Sequence, residues 1–131
     1  MATQGKRIRV LLAKSDQDAH DRGLRYLADV LQNAGMEVIF IRYRICDEVV
    51  KVALQEDISI VGMSFYGSGY LHDVPAVIQS LKKNDKEVGF ILGGTIRQGD
   101  WPKLKEMGVR GIFVPGMPTE KVIDCITSYC N

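Results

Sequence analysis

The chain has 131 residues, 46% hydrophobic and 25% charged, and its 17 basic and 16 acidic side chains leave a formal net charge of +1. That size and balance suit one compact domain over residues 1–131 with a sizeable core, and exclude a disordered, fibrous or disulfide-framed chain. No Lys/Arg cluster is interleaved with aromatics and no apolar run reaches membrane-spanning length, so neither nucleic acid nor membrane is an expected partner.

Ile8 to Ala13 is a near-continuous apolar run, the pattern of a strand covered on both faces. Leu24, Leu27, Ala28, Leu31 and Ala34 then recur at helical spacing, with Gly35 where a left-handed residue would stop the helix. Met36 to Ile41 reads as a second strand, Asp47 to Glu56 as a helix, and Ile58 to Ser64 as a third strand. His72 to Lys83 reads as helix and Val88 to Leu92 as a fourth strand. Trp101 to Met107 is a short helix closed by Gly108, with Pro102 in its first turn and Trp101 packed on the sheet. Gly111 to Val114 makes a short fifth strand and Thr119 to Tyr129 a last helix. Five βα units predict an α/β fold, a doubly wound, five-stranded parallel sheet of flavodoxin-like (Rossmann-like) order 2-1-3-4-5. Ligands bind outside the carboxyl ends of such strands, where the order reverses between the first and third.

The unusual residues fall on that rim. Asp18-Ala19-His20-Asp21-Arg22-Gly23 follows the first strand. A histidine that binds metal through one ring nitrogen needs an acceptor on the other, and an aspartate two residues upstream can fold back to supply it. The blander alternatives are a solvated loop histidine, an N-cap at Asp18 and a turn glycine at Gly23. Ser64-Phe65-Tyr66-Gly67-Ser68-Gly69 follows the third strand and Gly93-Gly94-Thr95 the fourth, and glycine there opens a slot for a long ligand against backbone. Gly67-x-Gly69 is only a weak phosphate-loop hint, because it lacks the Lys-Ser/Thr of a P-loop. Tyr66 and Tyr70 flank it as ligand platforms or rim packing, and His72 reads as helix surface. The stretch from Ser15 to Gly23, small and charged with few evident anchors, is expected to be mobile without a ligand. Cys46, Cys125 and Cys130 form no Cys-x-x-Cys pair, and Met1 to Lys6 contains no apolar signal segment, which together fit reduced thiols in a cytoplasmic protein.

From Arg7 to Tyr129 the chain resembles the cobalamin-binding domain or small subunit of adenosylcobalamin-dependent carbon-skeleton mutases, of the methylmalonyl-CoA, 2-hydroxyisobutyryl-CoA and glutamate mutase type. The family's Asp-x-His-x-x-Gly matches Asp18, His20 and Gly23, its Ser-x-Leu maps to Ser64-Phe65-Tyr66, and its Gly-Gly maps to Gly93-Gly94. The resemblance implies that His20 replaces dimethylbenzimidazole as the lower axial cobalt ligand. It also implies that Ser64, Gly93 and Gly94 hold the displaced nucleotide tail. The implied cofactor-binding set is Asp18, His20, Asp21, Arg22, Gly23, Ser64, Tyr66, Gly67, Gly69, Gly93 and Gly94, with His20 the metal ligand and no catalytic residue in this chain. Radical 1,2-rearrangement of an acyl-CoA or amino-acid substrate would then require a separate, large barrel-type catalytic subunit. Two positions depart from the pattern: Tyr66 stands at the motif leucine, and Ala19 stands where acyl-CoA mutases commonly have glycine. His20-Asp21-Arg22-Gly23 leans toward the acyl-CoA enzymes and Tyr66-Gly67-x-Gly69 toward glutamate mutase. A methyl-carrier corrinoid protein and a stand-alone sensory module remain as alternatives. A phosphoacceptor domain is disfavoured, since Ser64 stands where its aspartate would be.

Overall fold

A computed structural model describes residues 7–20 and 22–130. Five strands, β1 (Arg9–Ser15), β2 (Glu37–Tyr43), β3 (Ile60–Phe65), β4 (Gly89–Gly94) and β5 (Val109–Phe113), form one sheet in the order β2-β1-β3-β4-β5. All four pairings are parallel. The connecting helices are α1 (Arg22–Asn33), α2 (Cys46–Gln55), α3 (Tyr70–Lys83), α4 (Trp101–Glu106) and α5 (Thr119–Cys130), with a 3₁₀ turn at Gln98–Asp100. The expected fold and strand order are therefore those observed.

Alternation along each strand divides the core between the two faces of the sheet. Leu11, Val61, Met63 and Leu92 pack with α2, α3 and α4, while Val10, Leu12, Ile60 and Ile91 join Leu24, Leu31, Val122 and Ile126 of α1 and α5. Helix α1 stops where the sequence predicts: Gly35 takes φ +95°, and Met36 N–H reaches back to the Leu31 carbonyl at 3.1 Å. Trp101 is packed as expected, half-buried against the α2–α4 core, with its indole N–H on the Ile96 carbonyl at 3.3 Å.

Several boundaries shift by one or two residues from the sequence reading, and three of the shifts have a clear physical reason. Strand β1 continues through Lys14 and Ser15, because Lys14 is 1% exposed and keeps the inward alternation despite its charge. Strand β2 likewise runs on to Tyr43, whose ring is buried and whose hydroxyl donates to Asp73 Oδ2 at 2.7 Å. Helix α3 starts at Tyr70 rather than His72: Tyr70 is fully buried, its hydroxyl donates to Asp100 Oδ2 at 2.7 Å, and Gly69 stands at the N-cap.

Candidate functional site

Two rows of residues at the carboxyl end of the sheet build one wall. Parallel register places Leu12, Gly62 and Ile91 side by side on the face toward α1 and α5, and Lys14, Ser64 and Gly93 two residues further along the same strands. With glycine at two of these six positions, the wall recedes where side chains would otherwise meet the helices. A Cβ added at Gly62 would stand 3.0 Å from Leu12 Cδ2 and 3.1 Å from Ile91 Cγ1. The result is a cavity of about 520 Å³ between the sheet and helices α1 and α5. Its deep part is apolar, with Leu12, Leu24, Leu27, Ile91, Phe113 and Val122, and its mouth carries His20, Arg22, Tyr66, Gly94 and Gly116.

His20 is held at that mouth by the loop leaving β1. Asp18 Oδ1 accepts the His20 backbone N–H at 2.8 Å and lies 3.0 Å from His20 Nδ1, an Asx turn that also orients the ring. The other carboxylate oxygen, Oδ2, lies 3.2 Å from the ammonium of Lys14, which also donates to Ser64 Oγ at 3.5 Å. Arg42 from the neighbouring strand donates to the Asp18 carbonyl at 2.9 Å, and Asp18 N–H reaches the Ser15 carbonyl at 3.1 Å. Burial pushes the Asp18 carboxyl up, but the hydrogen bonds from the His20 backbone and ring, together with Lys14, outweigh it and hold the group below the ordinary carboxylate range. Asp18 is therefore an ionised acceptor for the imidazole. The expectation of a loop with few anchors is corrected: both carboxylate oxygens, the N–H and the carbonyl of Asp18 are all engaged.

The ring of Tyr66 lies on the ring of His20, centroids 3.9 Å apart and planes 7° from parallel. His20 Nε2 has no partner among the described residues, and the imidazole is 60% exposed. Gly94 takes φ +106°, and a Cβ there would fall 1.9 Å from the Phe65 carbonyl oxygen, so the glycine is required for the β3 and β4 ends to approach.

Of the sequence candidates, His20, Arg22, Gly23, Ser64, Tyr66, Gly93 and Gly94 line the cavity, and Asp18 stands behind His20. Gly67 and Gly69 lie outside the lining, on the exposed turn before α3, and Asp21 lies outside the described residues. His72 is on the surface as expected, paired with Asp73 at 2.9 Å, and Tyr70 is rim packing. The sequence reading missed Lys14, Gly62 and Arg42. Gly62 had a legible signal, an isolated glycine inside an apolar strand that marks close approach; Lys14 and Arg42 had none beyond their place at strand ends. Among the described residues no three His, Cys, Asp or Glu side chains gather as a metal cluster.

Comparison with known proteins follows the same span. Residues 8–123 match the family described as B12 binding domain. The chain is 35% identical over 123 residues to the pivalyl-CoA mutase small subunit of Xanthobacter autotrophicus, an alignment covering 92% of this chain and 82% of that one. It is 36% identical over 123 residues to the 2-hydroxyisobutanoyl-CoA mutase small subunit of Aquincola tertiaricarbonis, covering 92% and 90%. Among solved structures, a cobalamin-binding protein from Desulfitobacterium hafniense superposes with a TM-score of 0.79 at 18% identity, over 95% of this chain and 60% of that one, a likeness of fold. With an Asp-x-His-x-x-Gly loop at the mouth of an apolar cavity and a match over most of its length, the chain belongs to the B12-binding domain family.

Proposed function

We propose that this chain, one domain over residues 1–131, is the cobalamin-binding subunit of an adenosylcobalamin-dependent acyl-CoA mutase, with His20 as the lower axial cobalt ligand through Nε2. One observation carries the reading: an exposed imidazole, with Nδ1 on an ionised aspartate and Nε2 unengaged, stands at the mouth of a deep apolar cavity. The donor set fits the group. A corrin would bring its own macrocyclic nitrogen ligands to the metal, so a single protein nitrogen, that of His20, would suffice and no cluster of protein ligands would be needed. The cavity fits as well, since Gly62 and Gly93 leave space where side chains would reach toward a flat heterocyclic tail. Ser64 Oγ at its wall is placed to hydrogen-bond such a tail.

The residues divide the work. Asp18 holds the proton on Nδ1, fixing the tautomer that leaves the Nε2 lone pair free and making the imidazole a stronger donor. Lys14 and Arg42 hold Asp18 from the side chain and the main chain. Leu24, Leu27, Ile91 and Val122 keep water from the tail. When bound, adenosylcobalamin supplies homolytic cobalt–carbon chemistry. A sheet rim of this size presents one face and cannot enclose a substrate, so rearrangement would belong to a large partner subunit, which the resemblance implies is of barrel type, docked over the His20 mouth. A cytoplasmic location is supported by the free thiols of Cys46, Cys125 and Cys130.

Titration of the protein with adenosylcobalamin, followed by absorption, tests the reading. The expected outcome is a base-off, histidine-ligated spectrum in the wild type and its loss in His20→Ala. A wild-type spectrum unchanged by that substitution would overturn the ligand assignment.

A further inference from the structure

The mouth of the cavity holds two exposed aromatic rings where one would suffice for metal ligation. His20 and Tyr66 are 60% and 55% exposed, come from different loops, and lie face to face at 3.9 Å. We infer that Tyr66 is a positioning residue for His20: its ring fixes the plane of the imidazole before any corrinoid arrives, and so acts through the histidine rather than as a wall of the tail cavity. This rests on the proposed ligand role of His20.

The physical need for it is geometric. The covalent bond at Cγ and the hydrogen bond from Nδ1 to Asp18 Oδ1 hold two adjacent points of the ring, and the plane of an imidazole held in this way still swings about the line through them. A parallel ring against its face removes the swing, because rotation would break the stack or collide with it. The two constraints are roughly perpendicular, and together they define where Nε2 stands. No other aromatic ring of the described residues stacks on the imidazole, whereas Asp18 is itself held by Lys14 and Arg42. The tyrosine hydroxyl has no partner among the described residues, so the ring and not the oxygen does the holding. Tyr66 follows directly on Phe65, the buried last residue of β3, and is thereby anchored to the sheet. A leucine at this position would fill similar volume without a flat face.

The decisive probe is cobinamide, which keeps the corrin and cobalt but lacks the nucleotide tail. In the cofactor-free protein, the His20 ring protons should show an upfield ring-current displacement by NMR that persists in Tyr66→Phe and vanishes in Tyr66→Leu. Cobinamide binding, read by absorption, should weaken about three- to tenfold in Tyr66→Leu, as expected for loss of an aromatic pair, and stay near the wild-type value in Tyr66→Phe. Cobalamin affinity should fall by the same factor. If Tyr66→Leu weakened cobalamin alone and left cobinamide untouched, Tyr66 would be a tail wall and the inference overturned. Equal losses in the Phe and Leu variants would also overturn it, by assigning the effect to the hydroxyl. His20→Ala separates the two levels: an unchanged cobinamide spectrum in that variant would refute the ligand role, while the NMR comparison would still decide whether Tyr66 holds the ring.

Discussion

The two faces of the sheet are built from the same strands and are filled differently. Toward α2, α3 and α4, twenty-one described residues form a continuous buried cluster; toward α1 and α5 there are nine, beside a cavity of about 520 Å³. The difference lies in which residues occupy alternate positions. On β3, Val61 and Met63 point to the first face, while Ile60, Gly62 and Ser64 point to the second. One face holds the fold together and the other is left thin where a ligand can lie. The packed face also ties its rim with buried phenols, Tyr43 to Asp73 and Tyr70 to Asp100, whereas the open face ties its rim with the Lys14–Asp18–His20 chain.

Neighbouring residues on one strand can break this comparison. Leu11 and Leu12 are both fully buried but on opposite faces. Leu11→Ala should cost about 3–5 kcal/mol in urea unfolding, the range for a new void in a packed core, and Leu12→Ala about 2–3 kcal/mol, since it only enlarges an existing space. Equal costs would mean that the second face is as tightly packed as the first. Gly62→Ala tests the cavity itself: the added methyl, crowding Leu12 and Ile91, should weaken cobalamin binding by about 1–3 kcal/mol while the secondary structure seen by circular dichroism is unchanged.

Alkaline titration addresses the packed face. Burial, then the hydrogen bond to Asp73, raises the Tyr43 phenol well above its ordinary value, and burial with Asp100 raises Tyr70. A phenol raised on folding stabilises the protein fully below its unfolded value of about 10 and loses that contribution as pH climbs toward the folded value. Stability should therefore fall above pH ~10, by at most about 1.4 kcal/mol per pH unit for each phenol, and Tyr43→Phe should flatten the slope. On the open face, Ser64→Ala should have the smallest effect, weakening cobalamin binding by about 1 kcal/mol through one lost hydrogen bond. Isothermal titration of the variant would check it.

Periodicity made the five βα units and the strand order legible, because apolar runs and helical spacing report burial directly. It failed where a polar residue is buried. The apolar pattern ends the first strand before Lys14, since nothing local says that this lysine finds Asp18 and Ser64 inside the sheet rim. The loop carrying Asp18 and His20 was legible as a motif, but its support was not: Arg42 is twenty-four residues away from Asp18 in sequence and reaches it only because β2 lies beside β1. The stack of Tyr66 on His20 likewise depends on β3 lying on the other side of β1. Contacts set by topology are invisible to spacing.

The buried ammonium of Lys14 also bears on how the molecule opens. It lies four positions before Asp18, and it stands near the end of β1, an interior strand of the sheet. Peeling the loop away would strand a cation where water does not reach, or would pull the last residues of β1 out with it. Local fraying is thus tied to unzipping of β1, a strand paired on both edges. Amide protons at Asp18 and His20, though close to the surface, should exchange with solvent deuterium at rates nearer those of β1 than those of the exposed turn at Gly67 and Ser68.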